Sequence, residues 1–195
     1  MVAGNDASSN KLNVIEFVTI ATTGNSADFG DLTNTVQAPA TASNAVRGLC
    51  MGGRKSPGVQ ENRIEYVTIQ TKGNGQHFGE TSYQNGFAGH AGANETRGIL
   101  AGYYVQPANY NTIEFLTIAT TGNTQDFGDL TAARHGGGIM ASETRGVMSG
   151  MWTGSESNII DFVTISTTGD ALDFGDLQVA RHYADCISDS HGGLS

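Results

Sequence analysis

Lysine is nearly missing from this sequence, with three in 195 residues (Lys11, Lys55 and Lys72) and no basic run. Acidic residues outnumber basic ones 19 to 10, for a formal charge of −9. Phosphate binding needs clustered Lys and Arg, so nucleic acid is excluded as the main partner. Cysteine is limited to Cys50 and Cys186. Two cysteines fit no metal spacing and build no disulfide framework, so they read as small buried hydrophobes rather than a bridge. No stretch approaches the roughly 20 consecutive apolar residues of a membrane helix, so membrane insertion is not expected. The opening "MVAGNDASSN" has neither the basic start nor the apolar run of a signal peptide, and use without classical export is expected.

Glycine, by contrast, is abundant at 27 residues, while charged residues make up only 15% and proline three. That balance suits tight turns between many short strands; disorder would call for more net charge and fewer aromatics.

Internal repetition dominates the rest. "NVIEFVTIATTGNSADFGDL" begins at Asn13, and related lines begin at Asn62, Asn111 and Asn158, at intervals of 49, 49 and 47 residues. A second block recurs between them: "SNAVRGLCMGG" from Ser43, "ANETRGILAGY" from Ala93, "SETRGVMSGM" from Ser142 and "SDSHGGLS" from Ser188. Each repeat predicts four short strands. The first, Val14–Ala21 in the first repeat, carries apolar residues on both pleat faces, as a strand covered on both sides does. "TTGN" at 22–25 supplies a hairpin turn, and "ADFGDL" is the next strand. A weaker strand covers 36–43 (and 83–90, 134–141, 181–187), and the apolar run after each Arg-Gly pair is the last. Four strands in about 48 residues is the layout of a propeller blade.

Gly4, Gly53, Gly102 and Gly150 stand nine, nine, nine and eight residues before the Asn that opens each repeat. The expected domain is therefore one unit, 1–195, with repeats near 4–52, 53–101, 102–149 and 150–195. The expected fold is an all-β propeller of four blades, closed into a ring by strands from the N- and C-terminal ends.

"DFGDL" at 28–32, 126–130 and 173–177, with "HFGET" at 77–81, is expected to form the outer blade strand. Phe29, Phe78, Phe127 and Phe174 would wedge between blades, with the following Gly permitting close approach or a bulge. The flanking acids would cap turns or pair with Arg47, Arg97 and Arg145, one per blade. Calcium at Asp28, Asp31, Asp126, Asp129, Asp173 and Asp176 is the alternative, but the second repeat has His77 and Glu80 there. The expectation is accordingly no metal and no cofactor. No nucleophile–base set stands out, and no catalytic residue is assigned.

The repeat glycines, with Tyr66 twelve residues before Phe78 and Phe115 twelve before Phe127, resemble kelch-type propellers. The phrase N-x-I-[DE]-[FY]-[VL]-T-I, continued through DFGDL and TRG, resembles kelch-like repeats in virion and tail-fibre-type proteins of marine bacteriophages such as cyanophages. That resemblance implies a place in the phage particle and a role in host attachment or assembly. Other virion proteins or further copies of the chain would then be partners.

Function is expected where the repeats differ. The loops 5–12, 54–61, 103–110 and 151–157 vary freely, and an up-and-down blade puts them on one face. Tyr103, Tyr104, Tyr110 and Trp152 would gather there with Arg134, His135, Arg181 and His182. Aromatics beside polar groups stack on sugars or anchor a protein, so a glycan or host surface protein is the expected ligand. The alternative is a stand-alone, lectin-like sugar-binding module.

Overall fold

The computed structural model describes residues 6, 8, 10–55, 58–85 and 90–186. Among these there are fourteen strands and no helix. β1 (Val14–Phe17) and β2 (Ala27–Asp31) form a two-stranded sheet. β3 (Ala40–Ser43), β4 (Arg47–Lys55), β5 (Val59–Thr68) and β6 (Gln76–Asn85) form the first of three four-stranded sheets. The second contains β7 (His90–Ala93), β8 (Arg97–Val105), β9 (Ala108–Thr117) and β10 (Gln125–Asp129). The third contains β11 (Gly138–Ala141), β12 (Arg145–Ser149), β13 (Ser157–Thr164) and β14 (Leu172–Arg181). Every pairing is antiparallel between strands consecutive in sequence. The architecture is all-β and propeller-like, and among the described residues no sheet closes on itself; the expected closing segments at the two ends, 1–5 and 187–195, lie outside the described residues.

The sheets are cut out of phase with the sequence repeats. Each complete sheet starts in the weak strand late in one repeat and ends in the DFG-type strand of the next, spanning 40–85, 90–129 and 138–181. The first repeat contributes only its Asn13 and DFG strands to β1 and β2. Two expected boundaries are corrected. Val14–Ala21 is a strand only to Phe17, because the chain turns from Ile20. The weak strands are four residues long and begin late; 83–85 continue β6 and 182–186 form no strand, while 86–89 and 187 of the expected strands lie outside the described residues.

Strand burial follows from stacking. β4 and β8 each have six consecutive buried residues, Gly48–Gly53 and Gly98–Tyr103, because neighbouring sheets cover both faces. Apolar clusters fill the spaces between sheets. Leu49, Met51, Ile64 and Phe78 meet Leu100, Leu116 and Ile118 of the second sheet. Ile99, Phe115 and Phe127 meet Met148, Val163 and Ile165 of the third. The short strands β3, β7 and β11 lie side by side at the inner edge.

In every sheet the Phe of the DFG-type strand is a bulged residue. Asp126 faces Glu114 and Gly128 faces Ile113, which leaves Phe127 unpaired in the ladder, and the other three sheets repeat the pattern. The bulge turns Phe78 and Phe127 into the inter-sheet core, where both are 2% exposed. Each also meets an aromatic of its own sheet edge to face, Phe78 with Tyr66 at 6.0 Å and Phe127 with Phe115 at 5.9 Å. Phe174 is 52% exposed, since no described sheet follows its own.

The turn after the third strand of each sheet docks on the DFG-type strand of the sheet before. Gly73 N–H donates to the Phe29 carbonyl, Gly122 to Phe78 and Gly169 to Phe127, at 2.7–2.9 Å. The next side chain, Asn74, Asn123 or Asp170, accepts the N–H of Asp31, Glu80 or Asp129 at 3.0 Å. The acid of the N-x-I-[DE] phrase adds to the same junction: Glu65, Glu114 and Asp161 accept the N–H of Thr33, Ser82 and Thr131 from the preceding sheet.

The repeated arginines differ from expectation. Arg47, Arg97 and Arg145 stack over the rings of Tyr66, Phe115 and Phe162 at 4.4–4.8 Å rather than pairing with the DFG acids. Arg47 and Arg97 also donate to the carbonyls of Ile118 and Ile165 in the following sheet. The rigid planar guanidinium suits both tasks at once.

Candidate functional site: an aromatic and histidine cluster on the loop face

Of the eight residues expected to bind a ligand, four form one continuous cluster, three are structural, and one lies beside the cluster. The cluster lies where the second and third sheets meet. Tyr104, at the end of β8, stacks against His135 at 4.8 Å. His135 meets Tyr183 edge to face at 6.4 Å, and Tyr183 meets His182 at 4.6 Å. His182 meets Trp152 at 4.8 Å. Tyr104 and Trp152 stand at equivalent positions, two residues past Gly102 and Gly150, where the second repeat has Lys55.

Backbone pairing fixes this frame. His135 and Trp152 exchange N–H···O=C bonds at 3.1 and 2.6 Å. Asn109 bridges them: its amide nitrogen donates to the Trp152 carbonyl at 3.3 Å, and its amide oxygen faces His135 Nδ1 at 2.7 Å. The oxygen can only accept, so Nδ1 carries the proton and Nε2 of neutral His135 is an acceptor. Burial, then the nearby His182, lowers the His135 pKa and favours that neutral form.

Tyr183 adds an exposed ring. It is 57% exposed and holds φ at +52°, a conformation that costs a bulky residue energy and is frequently kept at functional positions. Gly136 makes room for it, since a Cβ there would lie 2.8 Å from the ring edge, and the Tyr183 N–H donates to the Gly136 carbonyl at 2.6 Å. Beside it, the Glu156 carboxylate lies 3.7 Å from His182 Nδ1, an ion pair only when His182 is protonated.

The other expected ligand residues are corrected. Arg134 and Asp161 are both 0% exposed and form an ion pair at 2.7 Å; burial lowers the Arg134 pKa and the adjacent carboxylate opposes that shift. Tyr103 is 0% exposed, and its hydroxyl donates to buried Glu114; burial and that carboxylate push its pKa well up. Tyr110 packs on Tyr83 at 4.8 Å. Tyr103 and Tyr110 are expected on the face as part of the varying loop 103–110, and Arg134 as the neighbour of His135, whereas Tyr103 belongs to the covered part of β8 and Arg134 is buried on Asp161. Arg181 is exposed, and its Nε donates to the Val179 carbonyl two residues back.

Sequence reasoning missed Asn109, Glu156 and Tyr183. The available signal was that Asn109 and Glu156 lie in the non-repeating loops and that Tyr183 follows the Arg181-His182 pair. Among the described residues no three His, Cys, Asp or Glu side chains gather to hold a metal ion. What the cluster offers chemically is the exposed ring of Tyr183 and the Glu156 carboxylate over a frame that includes buried His135, a set suited to stacking and hydrogen bonding. The chain matches no known protein family and no curated protein.

Proposed function

We propose that this protein is a non-enzymatic component of a phage particle, of tail-fibre or capsid-decorating type, which presents its loop face for host attachment or particle assembly. The observation that carries this reading is the Tyr104–His135–Tyr183–His182–Trp152 cluster. It is assembled from positions where the repeats differ, on a scaffold whose junctions are the same from sheet to sheet. An exposed ring beside a carboxylate suits a sugar, stacked on the aromatic face and hydrogen-bonded at its rim. The likeness of the repeat phrase to phage virion repeats supports a particle location.

The scaffold in this reading is a kelch-like propeller of four blades. Its ring is closed when strands from the two ends of the chain complete the blade begun by β1 and β2.

The experiment is a glycan array together with a pull-down on bacterial envelope polysaccharide, using the intact chain and its Trp152→Ala and Tyr183→Ala variants. Binding that falls at least tenfold in both variants, with unchanged melting, supports the attachment reading. Binding to neither, for the intact chain, removes it. A lectin-like module acting alone is the second reading, favoured by the exposure of Tyr183. Sugar binding by a chain absent from purified particles would select it.

A further inference from the structure

The inter-sheet junction is built three times, and its two halves occur a fourth time unmated. At one end of the array, Ile20 is 98% exposed; of its counterparts, Ile118 and Ile165 are fully buried and Ile69, whose sheet follows the incomplete two-stranded one, is 42% exposed. Val18 is 59% exposed, against 2–6% for Val67, Leu116 and Val163. At the other end, Phe174 is 52% exposed, against 2% for Phe78 and Phe127. A Cβ built on Gly175 would meet nothing within 4 Å, whereas one on Gly30, Gly79 or Gly128 would run into the turn of the following sheet. Arg145 stacks on Phe162 as Arg47 and Arg97 do on their rings, yet among the described residues its guanidinium has no carbonyl partner.

We propose that these two edges are the halves of one junction, mated within a single chain. By the pattern of the other three, Gly24 seats against Gly175 and the Asp176 N–H donates to Asn25 Oδ1. The Gln178 N–H donates to the Glu16 carboxylate, and Arg145 donates to the Ile20 carbonyl. Edges that match head to tail either close a ring or propagate an open row of copies. The path of the chain favours the ring. A Cβ on Gly92 of β7 would meet Ile139 of β11, and one on Gly138 of β11 would meet Cys186. The segment leaving β14 thus takes the next place in the succession of inner strands. Cys186 then shares with Ile15 and Phe17 the lining of an open cleft of about 450 Å³, so the succession leads toward β1.

This inference rests on the closed-ring reading, and its test separates the two. The pair Asn25→Cys/Asp176→Cys is made in a Cys186→Ser background, with Asp31→Cys/Asn74→Cys at an observed junction as the reference pair. Mild oxidation is expected to give a faster-migrating, monomer-sized species whose yield does not change on dilution. A ladder of cross-linked copies that grows with concentration overturns the proposal. So does absence of any cross-link where the reference pair forms one. Deleting 188–195 is read separately by melting. A lowered melting temperature without the cross-link keeps terminal-strand closure and removes the junction; the cross-link with an unchanged melting curve does the reverse.

Discussion

A Cβ on Gly79 would run into the carbonyl of Gly122 and lie 2.9 Å from the Asn123 nitrogen. The same relationship joins Gly30 to Gly73 and Gly128 to Gly169. The glycine of the repeated pentapeptide is therefore a seat for the backbone of the next sheet, which explains why a Gly follows the Phe in every repeat.

Gly79→Ala is expected to force that turn away and cost about 1–3 kcal/mol, as overpacking of a tight contact does. In a domain of this size the melting temperature would fall by roughly 2–4 °C per kcal/mol. An unchanged thermal melt would show that the turn can step aside freely.

Arg134 and Asp161 make the second prediction. Asp161 also accepts from Thr131, through the backbone N–H at 3.0 Å and the hydroxyl at 2.8 Å. Arg134→Met leaves that carboxylate buried without its cation and is expected to cost about 3–5 kcal/mol. Adding Asp161→Asn removes the uncompensated charge and should restore part of the loss. A double-mutant cycle from urea midpoints measures the coupling, and additive effects would contradict it.

Acid sensitivity is expected from His90. Burial lowers its pKa to about 4; Asp185 opposes that shift and His135 adds to it. Its Nε2 is buried with no hydrogen-bond partner among the described residues. The unfolded chain, with a His pKa near 6.5, binds this proton more readily than the folded one. Stability from His90 is thus complete above about pH 6.5 and is lost as pH falls toward 4, by up to about 3 kcal/mol. His90→Gln should flatten that limb of the stability–pH curve.

The two thiols should react unequally. Cys50 is 4% exposed, and burial with the nearby Glu65 pushes its pKa up to about 12. Cys186 is only half-buried, which corrects the expectation that both are core residues. The thiolate is the nucleophile, so iodoacetamide is expected to modify Cys186 in the native protein and Cys50 only in denaturant. Equal native labelling, read by peptide mass, would refute this.

Strand content and its four-part grouping were legible because β-branched residues, Thr-Gly turns and the repeat spacing all point the same way. Phe78 and Phe127 were legible for the same reason, as apolar residues at a fixed place in every copy. The fates of Tyr103 and Tyr104 were not. They are adjacent and alike in type, but β8 alternates its faces, sending Tyr103 to Glu114 and Tyr104 to His135. The acid of N-x-I-[DE] also passed unremarked. Its partner is a backbone N–H of the preceding sheet, a group present at almost every position and so invisible in a pattern of side chains.

The offset between sheet and repeat means that the piece most readily removed is not the piece that recurs. A cut at Gly53 or Gly102 divides β4 or β8 and leaves part of a sheet on each fragment. A cut in the segment 33–39 or 130–137 passes between sheets, and the fragment from 40 to 129 carries two of them whole. Recombination that trades whole sheets would reproduce the same Gly-to-Gly contact at each new boundary. Such a chain could lengthen or shorten by a blade without inventing a new interface.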